Sequence, residues 1–250
     1  MLHSPKFMRN PRSAEGFIHD NSMHQELLEI ALMARHDFAL DEFLTRDRDI
    51  AAIFAGNPAQ AHLRGTDFVS SVMLERLDEP LDAVITTAAG YPLDMTFYQA
   101  IKGITAASHI VRPGGHILLI AACEEGAGAP EFQQMLLAYS SDREFMDRIL
   151  HEPVVVDQWQ LEKLGLATME RNVFYYVPGL PREFWKSLWG KVFPTLETAL
   201  DGFFRNLPDG ASIGVIPDGP YVLARALGIA AAPREATRAG VSKEFNPDAK

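Results

Sequence analysis

Residues 82–126 read DAVITTAAGYPLDMTFYQAIKGITAASHIVRPGGHILLIAACEEG, and this stretch decides the fold. Residues 81–89, LDAVITTAA, form a continuous apolar run, the pattern of a strand covered on both faces. Residues 94–111 then carry a helical period, with Asp94 or Thr96 placed to cap it. The Arg-Pro-Gly-Gly at 112–115 is expected to end that helix, and HILLIAA at 116–122 reads as a second buried strand. Strand, helix and strand within about forty residues make a βαβ unit with a parallel pair.

The pattern continues on either side. From Asn21 a helix is expected, capped by Asn21 or Ser22, with Leu27, Ile30, Ala31 and Ala34 recurring on one face. Residues 37–57 read as two strands around the polar turn TRDRD. Residues 58–77 return to a helical period, with Pro58 in the first turn. Beyond the central unit, residues 130–150 and 157–171 read as helices and NVFYYVPG as a strand. PREFWKSLW and TLETALDGFFRNL read as amphipathic helices, and SIGVIPDGP as the last strand. The class is α/β, a mainly parallel sheet flanked by helices. Residues 1–20 form a leader or inter-domain segment, 21–228 the α/β domain, and 229–250 a polar, mobile tail.

With 250 residues and 47% hydrophobic content, the chain can bury a substantial core. A formal net charge of -10 argues against general binding to nucleic acid or acidic membrane. The lone cysteine, Cys123, excludes an internal disulfide and a Cys-rich zinc site, and fits a reducing, cytoplasmic compartment. At a strand end it reads as a small buried hydrophobe rather than a nucleophile. No apolar run approaches the length of a membrane span, and the first residues lack a signal core.

In open α/β sheets, ligands bind beyond the carboxyl ends of the strands. The helix opening at 94–97 would there offer free N–H groups and a positive dipole end to a carboxylate or phosphate. Gln99 and Lys102 are three residues apart and share a helix face, an amide and an ammonium for one small acid. A lysine on a helix is most often solvated, and a glutamine there is most often filler, so spacing leaves both readings open. EEGAGAP could serve as a phosphate loop or as a plain connection, since it lacks a full G-x-G-x-x-G. None of the eight histidines falls in a metal-binding spacing, and His24 and His62 read as ordinary helix residues.

The segment GYPLDMTFYQAIKG resembles the nickel-pincer-dependent lactate racemase family. VRPGGHILLIAACEEG, HSPKFMRNPRSAEGFIHDNSMHQE, IAAIFAGNPAQAH, DQWQLEKL and GVIPDGPYV match further family segments, in order. Ser22 replaces the family's usual proline. The resemblance implies a lactate racemase C-terminal-like α/β domain, the substrate-side part of a 2-hydroxyacid racemase or epimerase. Such enzymes use a nickel pincer nucleotide, lysine-tethered, and move the C2 hydrogen reversibly as hydride. Gln99 and Lys102 match the family's substrate-contacting Gln and Lys, and His3 its nickel-ligating histidine. The tethering lysine and two acid/base histidines lie upstream in the family and have no counterpart in this chain. The resemblance therefore implies an N-terminal half, in cis or in trans, without which the chain should be inactive. The competing reading is a non-catalytic remnant, a small-carboxylate-binding or interaction domain. A nucleotide-binding α/β enzyme is weaker, because the glycine fingerprint is missing.

Overall fold

The computed structural model describes residues 2–45, 47–205 and 207–229. In chain order the elements are α1 (Pro5–Met8), α2 (Ser22–Met33), β1 (Ala39–Leu44), β2 (Ile50–Gly56), α3 (Pro58–Met73) and β3 (Leu74–Leu77). The central unit follows as β4 (Leu81–Thr87), α4 (Phe97–Ser108) and β5 (Val111–Ile120). Then come α5 (Pro130–Ala138), α6 (Asp142–Arg148), α7 (Gln158–Thr168), β6 (Asn172–Tyr176), β7 (Lys191–Val192), α8 (Leu196–Phe204), β8 (Ile213–Ile216) and β9 (Leu223–Ala226). The expected mobile tail, but for Ile229, lies outside the described residues.

Five strands form an all-parallel sheet in the order β7-β6-β5-β4-β8. Alternate residues of each central strand face opposite layers. Val84, Ile117, Leu119, Val173 and Tyr175 join the larger core with α4 to α7. Ala83, Leu118 and Phe174 pack instead on Ala199 and Phe203 of α8. Coverage on both faces is why these strands read as unbroken apolar runs.

Three local expectations change. The helix expected over 58–77 stops at Met73, and Leu74–Leu77 becomes a strand parallel to Leu223–Ala226. That partner lies far along the chain, so no local pattern could reveal it. Arg-Pro-Gly-Gly does not end the preceding helix, because β5 already begins at Val111. The register jumps from Leu81 opposite Val111 to Ala83 opposite His116, so 112–115 bulges out. A Cβ on Gly115 would sit 2.7 Å from the Asp82 carbonyl, so the bulge requires glycine. PREFWKSLW forms only a 3-10 segment, Arg182–Ser187. There the Leu188 carbonyl accepts a 2.8 Å bond from the Tyr175 hydroxyl, and the chain leaves into β7.

Candidate functional site

The site is built on α4. Thr96 caps it, its hydroxyl accepting from the Gln99 N–H at 3.4 Å. The Phe97 and Tyr98 N–H groups donate to the Gly126 and Ala127 carbonyls at 2.9 and 3.0 Å. This corrects the expected anion site, because the loop after β5 already occupies the free donors of this helix end. The same loop is tied to Asp94, whose carboxylate accepts from the Ala122 N–H at 3.1 Å. The Asp94 carbonyl accepts from the Cys123 N–H at 2.8 Å. EEGAGAP is thus a brace for α4. Cys123 is fully buried, and burial, with the Asp94 charge, pushes its thiol up to about 12, which leaves it inert at neutral pH.

Gly103 lets α4 lie close on the end of β4. A Cβ there would come within 2.5 Å of the Thr87 carbonyl. Gly219 approaches from the other side, where an added Cβ would meet the same carbonyl and the Gly103 Cα. Thr87 also donates its hydroxyl to the Pro217 carbonyl. Strand end, helix and the 219–221 turn therefore interlock beside Lys102.

A cavity of about 250 Å³ runs along α4 from Lys102 to His109. Trp159, Gln160 and Lys163 of α7 line it, with Glu15 from the leader and Val222 and Leu223 near β9. The α7 wall is held by Gln160 Nε2, which donates to the Tyr98 carbonyl at 2.7 Å. Tyr98 donates its hydroxyl to Asp157 at 3.1 Å. Burial and the Asp157 charge push that phenol up to about 12, so it stays protonated.

The charges in the cavity are unequal. Lys163 Nζ pairs with Glu15 at 2.6 Å, and the other Glu15 oxygen meets His109 Nε2 at 3.3 Å. Arg225 donates to the Glu15 main-chain carbonyl. Burial alone would raise the Glu15 carboxyl, but His109 and Lys163 hold it well below the usual carboxylate range. Its side chain is still 46% exposed, so water screens part of this effect. Burial pushes the His109 imidazole down, against the pull of Glu15. Among the described residues Lys102 has no ion-pair partner, so its ammonium is the cation left for a ligand.

Gln99 lies one turn before Lys102, half-buried, and its Oε1 is buried without a hydrogen-bond partner. It stands beside the cavity rather than on its wall. His3 is exposed, and its ring lies 5.1 Å from the ring of Trp159. Of the three residues singled out from the sequence, Lys102 lines the cavity, His3 meets its Trp159 wall, and Gln99 is not part of the lining. Among the described residues no group of three or more His, Cys, Asp or Glu could hold a metal. One exposed imidazole beside the cavity suits a metal whose other donors come from a cofactor. Trp159, Lys163 and Glu15 were missed. DQWQLEKL did place Trp159 and Lys163 four residues apart on one helix face, which is the signal that could have found them.

A doubly covered parallel sheet with a small cavity along its central helix defines the chain as an α/β domain. The chain belongs to the lactate racemase C-terminal domain family, whose model matches residues 77–224. It is 30% identical over 226 residues to the lactate racemase of Thermoanaerobacterium thermosaccharolyticum, covering 89% of this chain and 53% of that protein. The lactate racemase of Lactiplantibacillus plantarum is 29% identical over 227 residues, with 89% and 53% covered. The chain thus spans about half the length of the curated relatives it matches. The solved lactate racemase apoprotein from T. thermosaccharolyticum superposes with a TM-score of 0.82 at 29% identity, covering 90% of this chain and 54% of that one. A Thermotoga maritima protein with a TM-score of 0.59 at 13% identity shares the fold alone. No helix among the described residues is long and apolar enough to cross a membrane.

Proposed function

We propose that this chain, with residues 21–228 as its α/β domain, forms the substrate-side part of a 2-hydroxyacid racemase or epimerase. The observation that carries this is the unpaired Lys102 ammonium on the cavity wall, one turn from an unsatisfied Gln99 Oε1. Lys102 binds the carboxylate of a lactate-like acid as a point charge. Gln99, one turn before Lys102, would help orient the substrate hydroxyl through its side-chain amide. Together they set which face of C2 is presented, and Lys102 offsets the negative charge that builds on the hydroxyl oxygen as it gives up its proton. The Trp159 ring excludes water from the apolar end of the substrate.

A nickel pincer nucleotide, when bound, supplies the acceptor that takes the C2 hydrogen with its electron pair and returns it to either face. His3 would hold its metal. The lysine tether and the acid/base histidines come from the N-terminal half, so the chain alone does not racemise lactate. In enzyme assembled with that half and loaded with cofactor, Lys102→Ala is expected to lower turnover about 10²-fold. Chiral chromatography of lactate reads the rate, and near-normal kinetics would overturn the assignment.

A second reading is a small-carboxylate-binding module, favoured by Lys102 standing unpaired in a cavity whose other lysine, Lys163, is neutralised by Glu15. Calorimetric binding of lactate to the isolated chain, lost in Lys102→Ala, together with normal racemisation by assembled Lys102→Ala enzyme, would select it.

A further inference from the structure

The segment that carries His3 is fastened to one face of α7 at three points. The His3 ring meets Trp159 at 5.1 Å, Arg9 Nε donates to Glu162 Oε1 at 2.9 Å, and Glu15 pairs with Lys163 at 2.6 Å. Trp159, Glu162 and Lys163 share a helix face, so the leader is held in chain order along it. Between His3 and Arg9 the chain makes the single turn α1. The Ser4 carbonyl accepts from the Phe7 and Met8 N–H groups at 3.0 and 2.9 Å, and the Pro5 carbonyl from the Arg9 N–H at 2.9 Å. One isolated helical turn does not hold itself in water, so α1 owes its place to its neighbours. Pro5 and Met8 are buried against them.

The middle point differs from the other two. Glu162 is fully buried and the Arg9 side chain is only 23% exposed, whereas Glu15 is 46% exposed and its pair is screened by water. Arg9 also donates from Nη2 to the Met146 carbonyl of α6 at 2.7 Å. Burying a carboxylate with its cation is costly, and an apolar pair of similar volume would stabilise the fold as well or better. An apolar pair would not supply direction. A planar guanidinium with donors on two helices fixes the rotation of α1 as well as its position.

We infer that Arg9 and Glu162 are positioning residues, whose buried pair fixes α1 and thereby holds the His3 imidazole against Trp159. This rests on the proposed role of His3 toward a metal. Neither residue touches substrate or cofactor; both act through α1. Without the pair the α/β domain stays folded and His3 swings away from the Trp159 ring.

Nuclear magnetic resonance of this chain, with its histidine rings labelled, tests the placement, because the Trp159 ring current displaces the His3 signal. Trp159→Leu identifies that signal. In the Arg9→Met/Glu162→Met double variant it is expected to move at least halfway to its unfolded-chain position. Arg9→Lys, which keeps the charge and loses the second donor, should move it part of the way, and circular dichroism should show both variants folded. A His3 signal that stays in place would overturn the inference; should the double variant not fold, Arg9→Lys alone decides. In enzyme assembled with the N-terminal half and loaded with cofactor, the double variant is expected to lose about tenfold in kcat, with KM for lactate within about twofold, since Lys102 is untouched. Normal kcat in the double variant, beside impaired His3→Ala enzyme, would sink the positioning role alone. Normal kcat in His3→Ala enzyme would instead sink the proposed metal role of His3.

Discussion

Lys102 and Gln99 illustrate how neighbours three residues apart acquire different roles. Lys102 is exposed and keeps its charge for a ligand, whereas the second lysine of the cavity, Lys163, is neutralised by Glu15. Gln99 holds an acceptor out of reach of water and of any protein donor. Leaving such a group unmade costs the folded chain about 1–3 kcal/mol. Gln99→Leu is therefore expected to leave the unfolding free energy unchanged or up to about 1 kcal/mol higher, while substrate binding weakens. Chemical denaturation and KM measured together check this, and a clear loss of stability would show that Gln99 is structural. The pair was legible because helix spacing alone places both side chains on one face. Glu15, Trp159 and His3 were not brought together by any spacing rule, since they meet only when the leader folds against α7.

For α4 as a whole, the decisive feature is its contact with the end of β4. Gly103→Ala would force a Cβ against the Thr87 carbonyl, and backbone cannot yield there as a flexible side chain would. The expected cost is about 1–3 kcal/mol, with Lys102 carried off position and turnover reduced. An unchanged denaturation midpoint would refute the interlocking of strand, helix and turn. Helix caps were readable in advance, as Asn21 and Thr96 accept from their first-turn N–H groups. The fate of the other donors was not, because Gly126 and Ala127 reach them from a loop nearly thirty residues on. The same holds for β3, whose partner β9 closes a connection of well over a hundred residues.

Across the molecule, stability should depend on pH through groups that folding displaces from their ordinary values. Burial lowers the imidazoles of His109, His24 and His116 below 6.5. Below that value the unfolded chain binds more protons than the folded one, so stability rises with pH and falls as acid is added. Asp82, held down to about 2 by bonds from Ser212 and Arg112, acts the same way at lower pH. Its contribution is present above about 4 and is lost as the pH falls towards 2. The thermal midpoint is therefore expected to be lower at pH 5.5 than at pH 7.5, by differential scanning calorimetry, and a flat or rising midpoint would contradict the assignment.

Hydrophobic period and capping residues, which act within a turn or two of the chain, were enough for the α/β class, the central strand–helix–strand unit and the Gln99–Lys102 face. Long-range contact set the strand order, the cavity, the neutralisation of Lys163, the sealing of the α4 donors and the pairing of Arg9 with Glu162. Those features depend on which distant groups arrive beside one another. A burial pattern along the chain records that a residue is apolar, and leaves open which surface covers it.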